Sequence, residues 1–280
     1  VPYGTWIIRE IESPKGYVLS EEEIAVTIGK VDEVVEIELV NYFIKGNIAL
    51  TKVDEDYPDN KLSGAVFEVY SDTNGDGKLD KDDTLLGEMK ELDGGVYQMS
   101  ELRYGKYLVK ETKAPTGFVL DENVYAVSIE ENGKTYTVEN KAGVGFINAA
   151  QKGSLKIVKT SSDGKVEGFS FRVTGVDYDQ TFKTDKNGEI VIEGLRIGDY
   201  TVSEVSDKAS AGYILPADKQ VTVKVNATAI VQMHNEFRDT PKTGDDFNLG
   251  LWVSLAALSV VGAGVLGFVG YKNRKKKKED

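Results

Sequence analysis

Three polar residue types recur at matched places along this chain, each closing a short apolar alternation. Lys52 closes Ile48-Ala49-Leu50-Thr51-Lys52, and Lys159 closes Leu155-Lys156-Ile157-Val158-Lys159. Glu10, Glu111 and Glu204 close Trp6-Ile7-Ile8-Arg9-Glu10, Tyr107-Leu108-Val109-Lys110-Glu111 and Tyr200-Thr201-Val202-Ser203-Glu204. Asn41, Asn148 and Asn235 close the stretches 35–41, 144–148 and 229–235. Side chains along a strand alternate between its faces, so each polar residue shares a face with the apolar ones before it. An amine, a carboxyl and an amide are thus all aimed at a core. An unpaired charge there is prohibitive, so the three must satisfy one another. Burial lowers the amine pKa and raises that of the acid, and a proton passing between them leaves both neutral. A neutral lysine can attack the asparagine side-chain carbonyl, while the protonated glutamate polarises it and then assists the departure of ammonia. The product is a Lys–Asn isopeptide bond. The sets are Lys52, Glu111, Asn148 and Lys159, Glu204, Asn235; the first part of the chain holds only Glu10 and Asn41, and its lysine is expected upstream of Val1. The same residues also fit a hydrogen-bonded network that never reacts, or strand ends at a solvated rim.

A second constellation runs from Asp72 to Asp83 as Asp-Thr-Asn-Gly-Asp-Gly-Lys-Leu-Asp-Lys-Asp-Asp. It fits the spacing of an EF-hand calcium loop, with oxygens from Asp72, Asn74, Asp76, Asp80 and Asp83, the carbonyl of Lys78, and Gly77 at the sharp turn. The last ligand is Asp rather than the usual Glu, and the flanks 66–70 and 84–87 read as strands. The other reading is an acidic, solvated hairpin loop. Calcium is the one candidate cofactor, and the isopeptide chemistry requires none. Other chemistry is poorly supplied. The single histidine, His234, has no cysteine or second histidine to work with, which argues against triads and zinc sites. No Gly-rich phosphate loop occurs.

The elements that must position these groups repeat. Gly46-Asn47-Ile48-Ala49-Leu50-Thr51-Lys52 recurs as Gly153-Ser154-Leu155-Lys156-Ile157-Val158-Lys159. The first two glutamate strands run on into Ser13-Pro14-Lys15-Gly16-Tyr17 and Ala114-Pro115-Thr116-Gly117-Phe118; the third drops that proline and takes two more residues to reach Gly212-Tyr213. Short apolar runs between Gly, Asp and Asn turns argue strands throughout, with no helical period before Leu249. The expected organisation is residues 1–45 as the closing half of one module, 46–150 and 151–239 as two complete modules, and 240–280 as a terminal segment. Repeated short strands at this spacing predict β-sandwiches or barrels.

The terminal segment reads in three pieces. Thr240-Pro241-Lys242-Thr243-Gly244 leads into an uncharged run from Leu249 to Tyr271, followed by Lys272, Arg274 and Lys275 to Lys278. At about 1.5 Å per residue the run reaches roughly 35 Å as a helix, enough to span a bilayer. The basic cluster after it sets the C-terminus on the cytoplasmic side and everything before Leu249 outside. The net charge is −12, carried by the part before the run, so nucleic acid and anionic lipid are not expected partners. There are no cysteines, so something other than disulfides must brace an exported chain. No export signal precedes the modules, so Val1 is not expected to be the native start and the chain reads as the C-terminal portion of something longer.

Motif, apolar run and basic tail together resemble the sorting signal of Gram-positive surface proteins, Leu-Pro-any-Thr-Gly with Thr240 in place of Leu. That resemblance implies cleavage between Thr243 and Gly244 by a sortase transpeptidase and transfer of the Thr243 carbonyl to a peptidoglycan or pilin amine, with membrane insertion before sorting. A single-pass membrane protein with a juxtamembrane turn is the plainer reading. The modules resemble the collagen-adhesin B-type (CnaB) and SpaA-type pilin modules, and the likeness covers nearly all of the chain before Thr240. It implies an all-β fold of tandem Ig-like or prealbumin-like β-sandwiches followed by one transmembrane helix. It also implies Lys52 and Lys159 as nucleophiles, Glu111 and Glu204 as proton shuttles, and Asn148 and Asn235 as acceptors. The function expected is a cell-wall-anchored, non-enzymatic stalk of a surface adhesin, its host or matrix ligand held by a region N-terminal to Val1. Alternatives are a minor or basal pilin, and a display stalk for an upstream secreted enzyme.

Overall fold

The computed structural model describes residues 1–238, so the pentapeptide 240–244, the apolar run 249–271 and the basic tail 272–280 lie outside the described residues. Within them every regular element is a strand, as β-branched and aromatic runs punctuated by Gly, Asp and Asn favour.

β1 (Gly4–Arg9) and β2 (Glu23–Ile28) form a two-stranded antiparallel sheet. Here two expectations fail. Trp6 and Ile8 do not face a core but stay 40% and 36% exposed, and the closing strand expected over 35–41 is not formed, its Val35, Ile37 and Leu39 also exposed. In the other two modules the closing strand pairs with the opening strand, and among the described residues this part has no such partner. A lone hairpin without a facing layer buries little.

The middle module begins with β3 (Lys45–Asp54), β4 (Val66–Ser71), β5 (Thr84–Glu88) and β6 (Lys90–Glu91). It continues with β7 (Val96–Arg103), β8 (Gly105–Lys113), β9 (Val124–Ile129), β10 (Thr135–Thr137) and β11 (Phe146–Asn148). One sheet runs β10-β3-β7-β6 with β11 also on β3; the other runs β5-β4-β8-β9. Ile48 and Leu50 from the first meet Phe67, Val69 and Val109 from the second, and Phe146 packs edge-on to Phe67 at 4.9 Å. Each such side chain contributes about 1.5–3 kcal/mol by leaving water.

The last module repeats the plan with β12 (Lys152–Ser161), β13 (Ser170–Gly175), β14 (Tyr178–Lys183) and β15 (Glu189–Arg196). β16 (Gly198–Glu204), β17 (Tyr213–Ile214), β18 (Lys219–Val223) and β19 (Thr228–Phe237) complete it. Its sheets are β15-β12-β19-β17 and β14-β13-β16-β18, around Leu155, Ile157, Phe171, Val202, Val231 and Met233. Gly46 and Gly153 occupy the same irregularity, where β3 slips against β7 and β12 against β15. A Cβ on Gly153 would lie 2.2 Å from the Lys224 carbonyl oxygen, and one on Gly46 2.8 Å from that of Lys134. Only glycine lets the opening strand run so close to the segment that leads back to it.

Candidate functional site

The first and last strands of each complete module are neighbours, which brings lysine and asparagine together. β3 and β11 pair in parallel with Lys52 opposite Phe146 and Asp54 opposite Asn148. β12 and β19 pair in parallel with Lys159 opposite Met233 and Ser161 opposite Asn235. In both modules the asparagine lies two residues beyond the lysine's partner, and the period of two returns it to the lysine's face. The glutamate arrives from the facing sheet, Glu111 opposite Phe67 and Glu204 opposite Phe171. Different residues thus build the same three-point arrangement twice.

All three groups of the middle set are buried: Lys52 and Glu111 at 0% exposure and Asn148 at 3%. The Asn148 amide nitrogen donates to both Glu111 oxygens at 2.9 Å, and Glu111 Oε2 also accepts from the Asp121 backbone N–H at 2.8 Å. The Lys52 ammonium donates to the Phe146 carbonyl at 3.0 Å. Asn148 Oδ1 is buried and makes no hydrogen bond among the described residues. Burial lowers the Lys52 pKa to about 8, against the opposing pull of the Glu111, Asp121 and Asp54 charges. Burial raises that of Glu111, and the hydrogen bonds from Asp121 and Asn148 only partly offset it. Both shifts favour the neutral amine and the neutral acid.

In the last module Lys159 and Asn235 are buried, and Asn235 donates to Glu204 Oε1 at 2.6 Å. The Lys159 amine donates to the Thr160 carbonyl and stands 4.2 Å from the centre of the Phe169 ring. Burial lowers its pKa and raises that of Glu204. Glu204 Oε2 and Asn235 Oδ1 are buried without a partner. In the first part of the chain Asn41 donates to Glu10 Oε1 at 2.6 Å, and Ser20 N–H to Glu10 Oε2 at 2.7 Å. Glu10 and Asn41 are only half-buried, and the hydrogen bonds from Asn41 and Ser20 outweigh the smaller effect of desolvation and hold the Glu10 pKa below the ordinary value.

The backbone donor to the glutamate went unseen in the sequence, although a signal was present. Ser20 and Asp121 each stand four residues after a glycine with positive φ, Gly16 and Gly117, in Gly-Tyr-Val-Leu-Ser and Gly-Phe-Val-Leu-Asp. The third module reads Gly212-Tyr213-Ile214-Leu215-Pro216. Proline has no N–H to give at that position, and Glu204 Oε2 has no hydrogen-bond partner among the described residues. Because the contact is made by backbone, side-chain type alone could not reveal it. Asn140, whose side-chain amide bonds the Ile147 N–H and carbonyl and Asp121 Oδ2, lies in a loop outside any alternation and carries no such mark in the sequence.

The Asp72–Asp83 loop joins β4 to β5, so its flanks are strands. Its acids are occupied locally. Asp72 accepts from the Gly75 and Gly77 amides, Asn74 from Asp76, Asp76 from Lys78, Asp80 from Asp82, and Asp83 from Thr73 and Asp80. Among the described residues no three His, Cys, Asp or Glu side chains converge as metal ligands. The loop is held by Asx turns. His234 bonds Thr160 at 2.8 Å and Glu236 at 3.2 Å, on the outward face of β19.

The SpaA prealbumin-like fold domain matches residues 1–42, 46–142 and 153–237. Among solved structures, the Bacillus anthracis TIE protein is similar over 85% of this chain at 27% identity and a TM-score of 0.64, and this chain spans 42% of that one's length. The Streptococcus agalactiae minor pilin GBS52 is 17% identical over 72% of this chain and all of its own, with a TM-score of 0.32. The Lactobacillus rhamnosus GG shaft pilin spaA, as a D295N mutant, is 15% identical over 70% of this chain and all of its own, with a TM-score of 0.33. Overlays that loose add nothing to the family match. No curated protein matches the chain.

Proposed function

The chain belongs to the SpaA family of prealbumin-like fold domains, and from that premise we propose that it is a structural stalk on the surface of a Gram-positive cell, braced by intramolecular Lys–Asn isopeptide bonds. The observation that carries this reading is the repeated register: a buried lysine, a buried asparagine two residues past its partner, and a glutamate from the facing sheet. The neutral Lys52 amine attacks Asn148 Cγ, a C–N bond forms, and the bond from Cγ to Nδ2 breaks. Glu111 contacts that leaving nitrogen through both oxygens, so it can deliver the proton with which ammonia departs and take back the one that the attacking amine loses on becoming an amide. Lys159, Glu204 and Asn235 do the same in the last module. Only the chain itself is altered, and no other substrate is turned over.

The position of the bonds supports a load-bearing role. Each joins a module's first strand to its last, so tension entering at one end leaves at the other through the cross-link while the strands between stay unloaded. In a chain without cysteine this takes the place of disulfides. The Thr240–Gly244 motif fits attachment by a sortase to a peptidoglycan or pilin amine, with the apolar run as the temporary membrane anchor. Single-molecule pulling on the full chain tests the stalk reading. The middle and last modules are expected to give no unfolding steps; extension of either by most of its contour length would contradict the proposal.

A further inference from the structure

The two complete modules hold their acceptor asparagine in different ways. β19 runs from Thr228 to Phe237 and pairs with β12 from Ser154 to Ser161, so Asn235 sits in a long ladder. β11 is three residues long, and its pairing with β3 covers only Phe146, Ile147 and Asn148. The segment between β10 and β11 leaves the sheet, and a strand so short is poorly fixed by its ladder alone.

Its free side is taken by one side chain. Asn140, in that excursion, accepts from the Ile147 N–H at 2.6 Å and donates to the Ile147 carbonyl at 2.8 Å. A primary amide presents one acceptor and two donors in a plane, so it can bond both groups of Ile147 as a neighbouring strand would. Its second donor contact, also 2.8 Å, goes to Asp121 Oδ2. The Asp121 carboxylate also accepts from the Tyr125 hydroxyl at 2.6 Å, and the Asp121 N–H donates to Glu111 Oε2 at 2.8 Å. One connected path therefore runs from the acid, through Asp121 and Asn140, to the residue beside the acceptor. Among the described residues no side chain does the same for Asn235, whose longer strand needs no such brace.

We propose that Asn140 is a positioning residue for cross-linking in the middle module, a side-chain splint that replaces the missing strand partner of β11 and sets Asn148 against Lys52 and Glu111. This rests on the isopeptide reading above and assigns a residue outside the reacting three. Without the splint β11 is free to shift on β3, and a displacement of about 1 Å at a reacting centre can slow a step by up to about a hundredfold.

The test is Asn140→Ala in the full chain, following Lys52–Asn148 and Lys159–Asn235 cross-linked peptides over time after synthesis. The expected result is a fall of about tenfold or more in the rate of the first bond, with the second unchanged in the same molecules. A first-bond rate unchanged from the wild type would overturn the proposal. Asn140→Asp keeps the acceptor for the Ile147 N–H but loses the donor and places a carboxylate against Asp121. It too must slow the first bond alone, and it decides the matter should the alanine variant lose the fold of the middle module. A purely stabilising role is separated in a Glu111→Gln background, which cannot cross-link. There, if Asn140→Ala costs enough melting temperature to explain the slower bond by unfolding, the positioning role fails. A wild-type chain that forms neither bond would refute the isopeptide reading itself, an outcome distinct from any result with the variants.

Discussion

Replacing Glu111 by Gln removes the proton carrier of the middle module while keeping its shape. Gln offers one acceptor oxygen where Glu111 offers two, so it keeps at best the Asp121 N–H and one Asn148 contact and turns its NH2 toward the other, a direct cost of about 1–3 kcal/mol. The consequence for the bond is much larger. A cross-link from Lys52 to Asn148 closes a loop of roughly 100 residues, which on the loop-entropy account stabilises by about 4.7 kcal/mol. For a module of this size each kcal/mol corresponds to about 4–8 °C, so the melting transition of the middle module should fall by roughly 20–40 °C. Intact mass and differential scanning calorimetry on the full chain read both effects together. The variant should be heavier than expected from the substitution by one retained ammonia, and one transition should move while the other stays. If the ammonia is still lost, Glu111 is not the proton carrier. If it is retained but the melting temperature moves by only a few degrees, the bond does not brace the module.

Four further outcomes follow from the same geometry. Pro216→Ser puts an N–H at the position that corresponds to Ser20 and Asp121, which should lower the Glu204 pKa and slow the Lys159–Asn235 bond relative to the Lys52–Asn148 bond, read by cross-linked peptide yields. Arg196→Ala strips the bidentate partner, at 2.6 and 2.8 Å, from the buried Asp54 at the joint between modules, at a cost of about 3 kcal/mol read by denaturant unfolding. Burial alone would raise the Asp54 pKa, but Arg196 and local amides hold it below the ordinary value; the pair's stabilisation is therefore present above about pH 4 and lost as pH falls through the lowered pKa, a loss absent in the variant. Gly153→Ala drives a Cβ to 2.2 Å from a backbone oxygen and should destabilise the last module by roughly 1–3 kcal/mol or more, seen as a selective drop in its melting transition. Adding calcium and then a chelator should leave the middle-module transition in place, because among the described residues no three acids of the Asp72–Asp83 loop converge on one point; a calcium-dependent rise would show that the loop closes around the ion.

Strand parity was enough to place a lysine, a glutamate and an asparagine on the core face of each complete module, because alternation ties each polar residue to apolar neighbours whose burial is energetically forced. Ile48, Leu50 and Lys52 share one fate, as do Val231, Met233 and Asn235. The same argument misled over Trp6, Ile8 and the stretch 35–41, since parity says which face a residue takes but not whether another layer covers it. Sheet partners were also illegible: nothing local says that β3 and β11 run in parallel, which alone brings Lys52 and Asn148 together. The supporting contacts stayed hidden for a different reason. Ser20 and Asp121 act through backbone N–H groups, so their side chains carry no common mark, and Asn140 works from an irregular loop. The absent donor at Pro216 became meaningful only once the other two modules defined what should stand there. For the Asp72–Asp83 loop, the spacing fits an EF-hand and a self-capping acidic turn alike, since aspartates that accept from turn amides keep oxygens free for a cation.

The most direct test of the central claim is protease digestion and tandem mass spectrometry of the wild-type full chain. Two branched peptides are predicted, one joining Lys52 to Asn148 and one joining Lys159 to Asn235, each lighter than the sum of its parts by one ammonia. Recovery of the same four residues only in linear, unmodified peptides would contradict it.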